Sequence, residues 1–274
     1  MKISFVTPVL NAFKTIEATF QSIEKSAKAI EYEHILVDGG SSDGTLEVVR
    51  HKWPNTRIAL EPGSSVYEAM NAGIRMANGD WIAIINADDH YEPGALAAIT
   101  KAIGANPQAE AIHGNVLKLS DSLFPEQLRT PVQGLSARLG LGIPILHPSL
   151  FVKKDVYHRL GDFRTDLRVA ADQEWIYRAL DSGVRLCYLD RIISRMSRGG
   201  LSEKLYEVST MELLEIHRSR KSFWGRLGHL FFYWNRRLRS HGATPKGPVH
   251  YWIWAMYNIC VPRSLRGRYG KSGE

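Results

Sequence analysis

Three short polar clusters in the 274-residue sequence carry residue types that bind charged and hydroxylated ligands. The first is Thr7-Pro8-Val9-Leu10-Asn11, and the second runs from Asp38 through Gly39-Gly40-Ser41-Ser42-Asp43-Gly44 to Thr45. The third is Asn86-Ala87-Asp88-Asp89-His90. Each follows a short apolar run directly. Two are acidic, which suits a divalent cation or the hydroxyls and ring N–H groups of a nucleoside. Adjacent carboxylates such as Asp88 and Asp89 behind an apolar strand are costly without a counter-ion. Plainer roles compete: Asp38 with Ser41 as an Asx-type turn, or Asp88 as a helix cap. Gly39, Gly40 and Gly44 read as turn residues. There is no GxGxxG and no Lys-bearing phosphate loop, so neither a dinucleotide fold nor a P-loop is supported. A diphosphate held in an acidic site then needs a bridging metal.

The elements that must position these clusters follow from periodicity. Ile3–Val6 is a β-branched and aromatic run that Thr7-Pro8 is expected to stop. Ile16, Phe20 and Ile23 share one face of a helix. His34–Val37 predicts a second strand, Leu46–His51 a helix, Arg57–Leu60 a third strand, and Tyr67–Ala77 a helix. Trp81–Ile85 is the most apolar strand and leads straight into Asn86. Four strand–helix alternations imply a parallel, doubly wound α/β sheet with its ligands beyond the strands' carboxyl ends. Such a sheet brings the three clusters together.

With those segments in place, TPVLN, ILVDGGSSDGT and YEAMNAGIRMANGDWIAIINADD together resemble the family 2 glycosyltransferases of the GT-A fold. The resemblance continues through HPSLFVKKDVYHRLGDF and AADQEWIYRAL, covering about residues 1–200. It implies a nucleotide-sugar-binding half at 1–115 and an acceptor-binding half at 116–200. It also implies donor contacts at Thr7, Pro8, Asn11, Asp38, Asn71, Asn86 and Asp88, with Mn²⁺ or Mg²⁺ held by Asp88 and Asp89. The family often has Asp-x-Asp-Asp where this chain has Asn86-Ala87-Asp88-Asp89, which weakens the metal assignment slightly. The family's catalytic Asp, often written Glu-Asp at a helix start, falls on Asp172, while Ala171 takes the Glu place. Glu174 is the reserve base on another helix face. Asp172 also has a plainer reading, as a carboxylate favoured by the helix dipole. His147 matches a position near the acceptor cleft. Arg198 lies in a loop expected at Arg195–Ser202, where it would approach the diphosphate on closure, or simply serve as a basic connector.

Composition separates the chain's last quarter from the rest. Residues 201–274 hold 13 Lys and Arg against 5 Asp and Glu, so of the totals of 35 and 28 the first 200 residues keep 22 and 23. Tyr206–Arg220 reads as an amphipathic helix. Beyond it, Phe223, Trp224, Leu230–Trp234 and Tyr251–Tyr257 alternate with Arg226, Arg236, Arg237, Arg239, Arg263, Arg266 and Arg268. Aromatic rings among basic residues suit an anionic membrane surface, with a packed helical lid as the alternative. Val249–Val261 is too short to span a bilayer. No nucleic-acid-binding pattern appears. Cys187 and Cys260 fit no metal or redox spacing and read as thiols of a reducing compartment, and the N-terminus reads as a strand, not a signal peptide.

The expectation is therefore an inverting, metal-dependent hexosyl-type transferase. It would use a UDP-sugar in preference to a GDP-sugar and act on a lipid-linked glycan hydroxyl at the inner face of the cell membrane, in surface-polysaccharide synthesis. Three alternatives stay open: transfer to polyprenyl phosphate, a non-catalytic nucleotide-sugar-binding protein, and a nucleotidyltransferase. The last is disfavoured by the missing phosphate loop.

Overall fold

The structure is a computed structural model that describes residues 1–27, 30–119, 126–131 and 145–220. The first half alternates as expected: β1 (Lys2–Val9), α1 (Ile16–Ser26), β2 (Glu31–Asp38), α2 (Thr45–Lys52), β3 (Arg57–Leu60), α3 (Val66–Met76) and β4 (Trp81–Ile84). Then come β5 (His90–Tyr91), α4 (Ala95–Ala105), β6 (Ala111–Lys118) and β7 (Gln127–Arg129). A 3₁₀ turn (His147–Ser149) precedes β8 (Phe151–Lys153), α5 (Lys154–Leu160), α6 (Ala171–Asp181) and β9 (Leu186–Met196). The described chain ends with α7 (Leu201–Lys204) and α8 (Tyr206–Ser219).

The strands form one sheet in the order β3-β2-β1-β4-β8-β6-β9-β5, with β7 added to β6. The four N-terminal strands are mutually parallel. The second half is mixed: β8 runs antiparallel to β4 and β6, whereas β9 runs parallel to β6.

Strand alternation divides the core between the two faces. Ile3 and Phe5 pack with Ile23, Leu96 and Ile99 on one side. Val6, Ile35 and Val37 meet Met70, Ile74, Trp175 and Ile176 on the other. A Cβ at Gly73 would lie 2.2 Å from a Val6 methyl, so only glycine lets α3 sit this close to β1. Ser65 and Glu68 close a reciprocal capping box that fixes where α3 starts. That start aims Tyr67 across to α6.

Several boundaries differ from the sequence expectation, β2 starting three residues early at Glu31 among them, and two bear on the site. Thr7-Pro8 does not stop β1, which runs on to Val9 against β2. The reason is that β4 pairs β1 only as far as Val6, so Pro8 lacks an N–H where no β4 partner needs one. Likewise β9 reaches Met196, so Arg195 is a strand residue, paired with Glu92, and the loop begins at Ser197. The amphipathic helix expected at Tyr206–Arg220 is present as α8. Ile216 of α8 is buried in the core beside α6. The aromatic and basic patches from Phe223 onward, and Cys260, lie outside the described residues. Among the described residues no helix is long and apolar enough to cross a membrane.

Candidate active site

The loops after β1 and β2 are laced together. Asn11 takes a left-handed φ of 52°, which Asn tolerates better than most residues. From there its amide oxygen accepts from Ser42 N–H, and its own N–H donates to Ser41 Oγ. Phe13 N–H and Ala12 N–H donate to Asp43 and Thr45. Asp38 divides its two oxygens. Oδ2 accepts from Gly40 and Ser41 N–H, which is the Asx-type turn, while Oδ1 is buried without a partner. An acceptor of that kind, on a residue only 2% exposed, is an exception to the pairing that buried polar atoms normally find.

The Thr7 hydroxyl points inward instead, 2.9 Å from His34 Nε2 beneath the edge. Burial holds the His34 imidazole down at about 3, and Phe20 stacks on it. Pro8 contributes only its strand position opposite Val37. Asn71 spends its amide on both backbone groups of Phe163, at 2.9 Å each. It also lines a cleft of about 420 Å³ with Glu61–Ser64, Glu68, Arg75 and Thr165. The 61–64 wall of that cleft is tied to the Asp38 turn through Glu61 N–H and Gly63 N–H.

At the end of β4 the two carboxylates differ. Asp89 is 1% exposed; its oxygens accept from Ser197 N–H (3.0 Å) and Asn86 Nδ2 (3.1 Å). Burial, and then the charge of Asp88, raise its carboxyl to about 7. Asp88 is half-buried, and among the described residues no hydrogen bond occupies its carboxylate; the Ser197 hydroxyl bonds its main-chain oxygen. No group of three or more His, Cys, Asp or Glu gathers for a metal among the described residues. The donor set instead fits a Mg²⁺-type ion, which takes one or two carboxylates and completes its shell from substrate phosphates and water. Burial is the larger part of what raises Asp89, and a cation there would relieve the smaller part, the repulsion from Asp88.

From Asn86 a chain of contacts leads to the acceptor half. Asn86 Nδ2 lies 3.4 Å from His147 Nε2, and His147 Nδ1 lies 3.2 Å from Asp172 Oδ2. Burial pulls the His147 imidazole down, but the hydrogen bond and charge of Asp172 outweigh it, and it ends above its ordinary value. On the other side the Tyr67 hydroxyl lies 3.2 Å from Asp172 Oδ1 and 2.5 Å from the Val169 carbonyl. Burial, and then the nearby Asp172 charge, hold Tyr67 in its protonated, donating form.

The structure therefore brings Asn86, Asp88, Asp89, His147 and Asp172 together, with Asn11 and Asp38 at the neighbouring edge. Glu174 faces away in an i,i+4 pair with Arg178 at 2.8 Å. Arg198 is held on the Leu119 carbonyl by its Nε–H. Tyr67 and Ser197 were missed by the sequence reading. Each is a single polar residue outside any acidic cluster, and only the fold sets it against one.

Comparison with known proteins gives the family and the fold. The Glycosyl transferase family 2 model matches residues 4–161, and the chain belongs to that family. A PGL/p-HBAD biosynthesis glycosyltransferase of Mycobacterium tuberculosis is 27% identical over 218 residues, covering 77% of this chain and 83% of the relative. TarS of S. aureus superposes with a TM-score of 0.63 at 17% identity, over 97% of this chain and 50% of its own, so the chain spans about half the length of TarS. Its 1–349 fragment, solved in complex with UDP-GlcNAc, gives 0.62 at 20% over 87% of this chain and 73% of its own. PcManGT, a mannosyltransferase of Pyrobaculum calidifontis in complex with GDP-Man and Mn²⁺, gives 0.61 at 18% over 96% and 81%. The fold is that of the GT-A glycosyltransferases.

Proposed function

We propose that the chain transfers a sugar from a UDP-sugar to a hydroxyl of a lipid-linked glycan, with inversion, and that Asp172 is the base. The observation that carries the reading is Asp172 itself. Among the described residues it is the one site carboxylate on the acceptor half, bracketed by His147 and Tyr67 and linked through His147 and Asn86 to the Asp88–Asp89 pair. A sugar hydroxyl is a poor nucleophile at neutral pH. Asp172 takes its proton as the new C–O bond forms at the anomeric carbon and the bond to the diphosphate oxygen breaks, releasing UDP. His147, donating through Nδ1, holds the carboxylate in place, and Tyr67 shares its one hydroxyl proton between that carboxylate and the Val169 carbonyl. The buried, unpaired Oδ1 of Asp38 would receive a base N–H once its turn admits the ring.

Asp88 would hold a Mn²⁺ or Mg²⁺ ion, with Asp89 bracing the turn through Ser197 and Asn86. Such an ion supplies positive charge to the leaving diphosphate. Support for nucleotide and metal comes from the TarS fragment with UDP-GlcNAc and from PcManGT with GDP-Man and Mn²⁺. Support for work at an anionic membrane surface comes from the basic, aromatic composition after residue 220. The lipid-linked acceptor and surface-glycan synthesis rest on analogy with the family and with the PGL/p-HBAD biosynthesis relative.

The test is release of nucleoside diphosphate from a panel of UDP- and GDP-sugars, with Mn²⁺ and with chelator. Turnover of a UDP-sugar that needs the ion and is lost in Asp172→Asn is the expected result. Full turnover in chelator, or in the variant, overturns the metal or the base assignment respectively.

A further inference from the structure

The helix that carries Asp172 has no cap of its own. Its N-cap is Ala170 and its first residue Ala171, and no side chain caps it there. With no such cap, the approach to the helix is held from elsewhere, by Glu212 in the middle of α8, whose bonds fall on the N-cap N–H and the two N–H groups before it. The Glu212 carboxylate accepts from three consecutive main-chain N–H groups: Arg168 at 2.7 Å, Val169 at 3.0 Å and Ala170 at 2.9 Å.

The Val169 peptide segment is consequently gripped from both sides, its N–H by Glu212 and its carbonyl by Tyr67. Asp172 follows three residues later. Further along, α8 runs beside α6 in the same direction. His217 packs edge-on against Tyr177 at 4.9 Å, and the Arg220 guanidinium lies 4.2 Å over the same ring. Arg220 also makes two 2.7 Å bonds to Asp181 at the end of α6. The strap thus sets an anion at the start of α6 and a cation at its end, as the helix dipole favours at both termini.

We infer that α8 is a splint for the base-bearing helix, and that Glu212 is a positioning residue for Asp172. The inference rests on the proposed role of Asp172. It also moves the working boundary of the catalytic domain from residue 200 to residue 220. Glu212, 42 residues downstream of the N-cap Ala170, supplies a carboxylate to the approach of this helix. A freed 168–170 segment lets Asp172 drift from the acceptor hydroxyl, and a displacement of about 1 Å costs roughly 100-fold in rate.

The experiment compares Glu212→Ala and Glu212→Gln in the full chain, alone and combined with Asp172→Asn. The readouts are UDP release from UDP-GlcNAc with Mn²⁺, UDP affinity by calorimetry, and hydrogen exchange of the 168–170 amides. Glu212→Ala should lower kcat roughly 10- to 100-fold with KM and UDP affinity within about two-fold, and should speed exchange at those amides. Glu212→Gln keeps an acceptor oxygen and the shape, and should recover most of kcat. On the Asp172→Asn background Glu212→Ala should cost nothing further, because coupled residues are non-additive. Wild-type kcat in Glu212→Ala, or the same loss on both backgrounds, overturns the splint. If instead Asp172→Asn keeps full turnover, the base reading is what fails, and the exchange data still judge the clamp.

Discussion

At the donor edge, the polar loops after β1, β2 and β4 bond mainly to one another: Asn11 to the 41–42 segment, Asp38 to its own turn, Asn86 to Asp89. Asp172 is held by Tyr67 and His147, 105 and 25 residues away in the chain, and its helix start is bonded by a carboxylate on α8. The first region is assembled from neighbours and can be read as motifs. The second is assembled by the tertiary fold. Damage at the donor edge should therefore remove ligand binding and leave the rest intact, whereas damage around α6 should spare binding and remove turnover.

The largest effect should come from Asp88→Ala. Donor nucleotide binding in the presence of Mn²⁺, measured by calorimetry, is expected to vanish while the melting temperature stays unchanged; undiminished affinity would sink the metal assignment. Next, Asp172→Asn should keep donor affinity yet lose turnover by roughly two to four orders of magnitude, the usual contribution of a positioned base. Near-normal turnover would erase the contrast between the two regions.

A smaller effect concerns stability, and tests both halves together. Burial holds His34, under the donor edge, at about 3, and His113 on β6 at about 4. Both stay neutral in the fold, while the unfolded chain takes up protons below its ordinary value near 6.5. Their contribution is therefore complete above that value and is lost as pH falls toward 4 and 3. At pH 5 each should cost about 2 kcal/mol of stability. Urea unfolding at pH 7 and pH 5 should show His34→Gln less acid-sensitive than the wild type by about that amount. The smallest effect is expected from Tyr67→Phe, which deletes one hydroxyl shared by Val169 and Asp172. One hydrogen bond of about 1 kcal/mol corresponds to roughly a five-fold fall in kcat, with donor KM unchanged.

The same contrast explains what could be read without coordinates. Trp81–Ile84, Asp38 and the Asn86–Asp89 run announce themselves, because an apolar run followed by a polar cluster is a local pattern. The four parallel strands came from the same kind of signal. The mixed half did not: β8 and β7 are three residues each, too short for a period to register. Asp172 came from resemblance, and the chain around it gave no hint of its partners. Tyr67 reads as one more core aromatic and Glu212 as one more charge on a solvated helix face. Pro8 misled, because a proline usually ends a strand and here only one neighbour was missing. Thr7 and Asn71 stand in motif positions, yet their side chains brace the interior.

The strand order holds a last consequence. β4 and β5 are joined by only Ile85–Asp89, yet β5 pairs with β9 and lies four places beyond β4 along the sheet. Four strand spacings would be about 19 Å in a flat sheet. The six steps from Ile84 to His90 reach about 22 Å only when fully extended. They are not extended, since Asp89 N–H folds back onto the Asn86 carbonyl. The sheet must therefore bend until its far strand returns to the middle, and the Asn86–Asp89 run is the chord of that arc. Its length matters apart from its chemistry: one residue fewer would pull the arc tighter or strip β5 from its partner, and one more would slacken the chord and let the two carboxylates wander.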